Sequence, residues 1–314
     1  MKGLIAVTDH EWFEFLGRQD GLDEVNFWRP RDTETPRIEP GTPYIFKLKR
    51  KQGDCVVGFG IFARHSVLPV WMAWEAFGRC NGADSLAAMR RRIERLRREP
   101  ADALGSGDYA IGCLMLSAPV FFDRPDWIEP PSDWSPNIVQ EKSYNLSEGE
   151  GARIWSQCRA LAFAGRRSRA ASGRAAEPDA PRYGDPVMVR PRLGQGTFRI
   201  AVMDAYGRSC AVTTEHSLPV LEAAHIRPYA DGGPHEVANG LLLRTDIHRL
   251  FDAGYVTVSP EDLRFNVSRR LKDDYENGRT YYALHGAQIH SPRDLADSPG
   301  RAFLDWHARE RFRG

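Results

Sequence analysis

Apolar residues recur at helical spacing through residues 8–16 (TDHEWFEFL), behind Thr8 and Asp9 as capping residues, and predict an opening helix. Residues 26–30 (NFWRP) bring aromatic side chains into an extended or turn segment, and Pro40-Gly41 marks a turn. Residues 44–49 (YIFKLK) and 55–62 (CVVGFGIF) read as strands, with Gly58 and Gly60 as bulge or close-approach positions. Trp71, Trp74 and Phe77 share a short helical span that ends near Gly78, and Ser85 caps an arginine-rich helix reaching about Arg98. Residues 109–117 (YAIGCLMLS) and 120–122 (VFF) supply two further strands. Residues 148–164 turn helical again, with Ile154, Trp155, Cys158, Leu161 and Ala162 on one side.

The pattern then breaks. Residues 165–182 (GRRSRAASGRAAEPDAPR) lack large apolar side chains and predict a basic linker. Beyond it, an apolar run at 220–224 delivers His225, and a turn-rich segment with Pro228, Gly232, Gly233 and Pro234 follows. Asn239-Gly240 is a hairpin signal, and the run 241–243 leads back to a short helix carrying His248 and Asp252 on one face. Residues 256–258 and 265–267 predict a strand pair, and 293–312 a closing helix. The organisation expected is three segments, 1–147, 148–182 and 183–314.

With 314 residues, 42% of them hydrophobic and 27% charged, the chain is long enough for two domains. No apolar run approaches the roughly 18 residues of a membrane span. The start, MKGLIAVTDHEWFEFLG, puts acidic and aromatic residues where a signal peptide has its apolar core, so a cytoplasmic location is expected. The five cysteines (Cys55, Cys80, Cys113, Cys158, Cys210) form no CxxC pair, which argues against a disulfide framework or a structural zinc knuckle. A formal charge of +1 announces no partner, but its distribution is uneven. Arg90, Arg91, Arg92, Arg95, Arg97 and Arg98 crowd one helix, and Arg153, Arg159, Arg166, Arg167, Arg169 and Arg174 follow without an intervening acid. Such runs suit phosphate contacts, and about as often they are solvated faces.

His225, Asn239, His248 and Asp252 are the candidate chemistry. A strand pair on a helix brings them to one point, and phosphodiester hydrolysis wants this set. A neutral imidazole takes a proton from water, while an imidazole and a carboxylate hold a divalent cation against phosphate. The order, with the Asn fourteen after the first His and the second His nine further on, resembles the HNH endonuclease family. The words EAAHIRPY, GGPH, NGLLL and HRLFDAGY resemble one HNH subfamily, as does QGTFR at 195–199. The resemblance implies a ββα-metal fold with His225 as general base, and His248 with Asp252 as ligands of a divalent metal, Mg2+ or Mn2+ with Co2+ and Ni2+ as alternatives. Asn239 orients the loop or touches the metal. Arg166, Arg167, Arg192, Arg199, Arg227 and Arg249 are expected on phosphate, while His216 and His235 read as structural or phosphate-facing turn residues. Ala224 stands where many relatives carry a further ligand, which leaves the ligand set short.

NFWRP, PGTPYIFKLK, VVGFGIF and WEAFG resemble an EVE-type module of the PUA superfamily, the group that also holds SRA-like domains. That implies an α+β chain with an N-terminal PUA/EVE-like, partly closed β-barrel that encloses a modified base, and a C-terminal ββα-metal domain. Trp28, Trp71, Trp74 and Phe77 are candidate walls, with Asn26 and Asn81 reading an edge. Tryptophans in a small domain mostly fill its core, which is the plainer reading of each. The pairing implies an endonuclease of restriction type acting on double-stranded DNA with modified, cytosine-type bases, a homodimer where both strands are cut. The alternatives are an HNH nuclease or nickase on unmodified DNA or RNA, and a non-catalytic reader.

Overall fold

The computed structural model describes residues 1–31, 38–97, 109–171 and 193–314, and leaves out the side chains of 166–171. The chain divides into two compact units, Met1–Pro191 and Arg192–Gly314. Arg192, and the side chains of Arg166 and Arg167, lie outside the described residues.

The first unit runs β1 (Lys2–Thr8), α1 (His10–Gly17), β2 (Glu24–Arg29), β3 (Pro43–Leu48), β4 (Val56–Pro69), α2 (Val70–Phe77), α3 (Leu86–Arg97), β5 (Ala110–Phe121), β6 (Glu141–Asn145) and α4 (Gly149–Ala171). The strands make one sheet in the order β2-β5-β4-β3-β1-β6, in which β1 and β3 are parallel and the other pairs antiparallel. Asp9 caps α1 by accepting the Trp12 N–H, and Ser85 accepts the Ala88 N–H at the start of α3. The two strands expected at 109–117 and 120–122 are one, β5, continuous through Ala118 at φ 47°. Gly58 is a close approach: a Cβ there would sit 2.2 Å from the Val120 carbonyl oxygen.

The sheet is not a fully closed barrel. Among the described residues the end strands β2 and β6 share no ladder, and side chains span the seam instead: Arg29 Nη2 reaches Glu141 Oε2 at 2.5 Å. The helix expected at 148–164 forms as the start of α4. Ile154, Trp155, Cys158 and Ala162 of α4 pack with Ile5, Ile45, Val56 and Phe59 of the sheet, because its apolar stripe needs a partner surface. Three arginines of α3 bond within this unit, and Arg98 lies outside the described residues. Arg92 and Arg95 bond Glu11, and Arg97 donates to the Pro30 and Ala110 carbonyls while lying over Tyr109.

The second unit runs α5 (Gln195–Ala205), β7 (Leu221–His225), β8 (Gly240–Arg244), α6 (Thr245–Asp252), β9 (Val256–Val258), β10 (Phe265–Val267), α7 (Arg270–Tyr275), α8 (Arg279–Tyr282) and α9 (Arg301–Glu310). β7 pairs antiparallel with β8, and β9 with β10 as the pattern predicts. The closing helix is shorter than expected, since Gly300 caps it at residue 301. Among the described residues no helix is long and apolar enough to cross a membrane.

Candidate active site

β7, β8 and α6 form a ββα unit, and the candidate residues lie along it. His225 ends β7 opposite Gly240, the first residue of β8. Asn239-Gly240 is not the hairpin turn its sequence suggests. Gly240 is extended at φ −129°, outside the positive-φ geometry of such a turn, and residues 226–239 form the connection. The glycine serves packing: a Cβ would lie 2.4 Å from Val202 Cγ2 and 3.1 Å from Phe198 Cζ. Its absence lets α5 settle on the strand pair, and Phe198 stacks on the His225 ring, centroids 3.9 Å apart and planes 15° apart.

Asn239 is fully buried. Its Nδ2 donates to the Arg227 and Pro234 carbonyls, both at 2.9 Å, and its Oδ1 accepts the Arg227 N–H at 2.9 Å. The amide therefore ties both ends of the loop that follows His225. The other role expected of it, a metal contact, would use Oδ1, which is buried and accepts the Arg227 N–H through one of its two lone pairs.

The loop so tied delivers His235, expected from the sequence as a structural or phosphate-facing turn residue. His235 Nδ1 lies 3.0 Å from His225 Nε2. Tyr229 stacks on the His235 ring at 4.8 Å with planes 1° apart. Burial, with smaller contributions from the charges of His235 and His248, pushes the His225 pKa down to about 4, so this imidazole is neutral at physiological pH.

His248 sits between two carboxylates. Its Nδ1 is 2.7 Å from Glu222 Oε2 across the strand, and its Nε2 is 3.3 Å from Asp252 Oδ2 one turn along α6. Glu222 is a residue the sequence reading missed. Its signal was a carboxylate inside an apolar strand (LEAAH). An N–H on Nδ1 donated to Glu222 leaves the Nε2 lone pair facing a carboxylate oxygen, a repulsive arrangement that a proton or a cation relieves. Among the described residues no group of three or more His, Cys, Asp or Glu forms a metal cage. The donor set fits a divalent cation that keeps several waters and takes an imidazole, a carboxylate and a substrate phosphate oxygen.

His307 of α9 holds α6 from behind. It stacks on Phe251 at 3.7 Å, its Nε2 meets the Phe251 carbonyl at 3.1 Å and its Nδ1 the Thr257 hydroxyl at 2.9 Å. Of the arginines expected on phosphate, Arg249 is exposed on α6, and Arg199 is half-buried on α5. Arg227 is engaged by its own loop, with Nε donating to the Asp231 carbonyl and its guanidinium over Trp306.

The first unit holds a separate cavity of about 350 Å³ at the seam between β2 and β6, lined by Trp12, Phe27, Trp28, Arg29, Tyr44 and Glu141 among others. Burial above all holds the Tyr44 phenol protonated, and it donates to Glu141 Oε2 at 3.0 Å. Of the six pocket candidates only Trp28 lines it. Asn26 and Asn81 are fully buried and bonded to each other at 2.9 Å, Asn81 also tying down α2 through the Ala73 and Gly78 carbonyls. Trp71, Trp74 and Phe77 lie on α2, away from this lining.

Residues 210–259 match the family model described as HNH endonuclease, so the ββα unit lies in an HNH endonuclease domain. Among solved structures the chain is similar to a modification-dependent TagI restriction endonuclease, at 14% identity and a TM-score of 0.28, over 94% of this chain and 78% of that one. No curated protein matches. A TM-score that low leaves the functional reading to this chain's own residues.

Proposed function

We propose that the protein is a metal-dependent endonuclease of restriction type. In this reading its HNH domain hydrolyses double-stranded DNA, and its first unit receives a modified base. The observation that carries the hydrolytic part is the ββα unit with a neutral His225 at its strand end and the Glu222–His248–Asp252 array on its helix.

His225 takes a proton from the attacking water, and Phe198 and the loop tied by Asn239 hold its ring in plane and in place. His248 and Asp252 would hold a divalent cation, with Glu222 orienting the imidazole, and that cation would supply neutralisation of the charge that builds during hydrolysis. Arg249, exposed on α6, would meet an adjacent phosphate. One such centre cuts one strand, so duplex scission calls for two protomers.

The seam cavity supports base recognition. It offers aromatic walls to a planar ring and the Arg29–Glu141–Tyr44 cluster to its polar edge, which offset the few kcal/mol of extruding a base. The test is a cleavage panel on identical duplexes carrying plain, methylated, hydroxymethylated or glucosylated cytosine, each with magnesium, manganese, cobalt or nickel. Metal-dependent cutting of modified duplexes, lost in His225→Ala while binding survives, is expected. Equal cutting of the plain duplex overturns the base-reading part, and no cutting of any duplex overturns the whole.

A further inference from the structure

Imidazole bases need one ring nitrogen left with its lone pair, and in His225 the two nitrogens have different surroundings. Nε2 faces His235 Nδ1 at 3.0 Å, whereas Nδ1 has no protein hydrogen bond among the described residues. A neutral ring carries one N–H. With that proton on Nε2, donated to His235, Nδ1 is free to attack a water proton; with it on Nδ1, the ring cannot act as a base there.

We propose that His235 is a positioning residue for hydrolysis: it accepts the Nε2–H of His225, selects the tautomer with a basic Nδ1, and shares the proton as the imidazolium forms. The inference rests on the endonuclease reading above and names a further residue in the same site. In the step, the water O–H proton passes to His225 Nδ1 as the water oxygen bonds to phosphorus. The bond from phosphorus to the 3′ oxygen breaks with its electron pair on that oxygen, which then takes a proton from solvent. The new charge on His225 is spread over the Nε2–H···Nδ1 contact.

The surroundings of His235 are those of an aligned partner. Tyr229 lies parallel over its ring, Phe198 packs against both imidazoles, and Asn239 fixes the loop on either side through the Arg227 and Pro234 carbonyls. A turn histidine with only a surface role needs none of these restraints.

The test has two readouts on the full chain. The first is the His225 tautomer, read by long-range proton–nitrogen correlation with 15N-histidine labelling: Nε2–H in the wild type, and loss of that preference in His235→Ala. The second is cleavage. His235→Ala is expected to lower kcat on the order of 100-fold with DNA binding and metal requirement unchanged. His235→Asn, whose side-chain oxygen accepts from Nε2–H, restores most of the loss. A proton on His225 Nδ1 in the wild type overturns the proposal whether or not the protein cuts DNA, as does an Ala variant with wild-type kcat. Absence of cleavage in the wild type with the Nε2–H tautomer intact sinks the endonuclease reading and leaves the positioning of His225 standing.

Discussion

Replacing Asn239 by Ala separates a loop-tying amide from a metal-binding one. The substitution removes three part-buried hydrogen bonds of 2.9 Å and leaves the carbonyls of Arg227 and Pro234 and the Arg227 N–H without the partner that the buried side chain supplied. A net hydrogen bond contributes about 1 kcal/mol, and a stranded buried group costs about 1–3 kcal/mol. Partial hydration of a relaxed loop offsets some of this, which leaves a loss of about 3 kcal/mol and a midpoint lower by about 10 °C for a unit of this size. Thermal unfolding measures the total, and hydrogen exchange at the amides of 226–239 shows where it falls. Exchange should accelerate there, kcat should fall at least as far as in His235→Ala because both histidines lose their register, and the affinity for magnesium or manganese should hold. Asn239→Asp should lie between the two, since a protonated carboxyl donates to only one of the two carbonyls. An Ala variant with the wild-type midpoint and exchange pattern but weakened metal binding would refute the reasoning and return this side chain to the cation.

Three other outcomes follow from the same geometry. Glu222→Gln removes the charge behind His248 Nδ1, so metal affinity should drop about 10- to 100-fold in a titration while folding is kept. His307 titrates near 4 in the folded protein and near the ordinary 6.5 when unfolded, chiefly because it is buried. The unfolded chain therefore binds the extra proton between those values, and the stability His307 confers above about pH 6.5 is lost as pH falls toward 4. At about 1.4 kcal/mol per pKa unit this amounts to about 3 kcal/mol. Denaturant midpoints from pH 7 to 4 should show it, and His307→Gln should flatten the slope by that share, leaving the contribution of His225. Gly240→Ala should cost about 1–3 kcal/mol by pushing Phe198 and Val202 away, and a variant as stable as the wild type would contradict the close packing of α5 on β8.

Much of the candidate site was legible because its residues lie close in sequence and follow helical or strand periods. His248 and Asp252 share a face by i, i+4 spacing, and the runs at 220–224 and 241–243 became β7 and β8. Glu222 and His235 were not legible. A strand glutamate and a turn histidine look like ordinary surface residues until register puts one against His248 and the loop folds the other onto His225. Asn239-Gly240 misled for a related reason: the dipeptide signals a turn through glycine's positive φ, whereas here the glycine is used for its missing Cβ and the asparagine for its amide.

In the first unit the obstacle was distance along the chain. The helices at 10–17 and 70–77 and the strands at 43–48 and 56–69 follow local periodicity, but the seam joins Arg29 to Glu141 across 112 positions. Nothing local tells a tryptophan that faces a cavity from one that packs on a helix. Trp28 faces the cavity because β2 is the sheet's end strand and its far side meets β6 through side chains and not a ladder. Asn26, two residues earlier on the same strand, meets Asn81 and Cys113 in the interior. The buried pair holds α2 and β2 together through Asn26 Nδ2 and both ends of the Asn81 amide, while Asn26 Oδ1 has no partner among the described residues. The base recognition proposed for this chain would rest on the seam side chains, and a Glu141→Gln variant tests it directly. Losing the charge facing Arg29 should weaken discrimination among modified duplexes while hydrolysis of any bound duplex keeps its rate, and a variant with unchanged discrimination would place base recognition elsewhere.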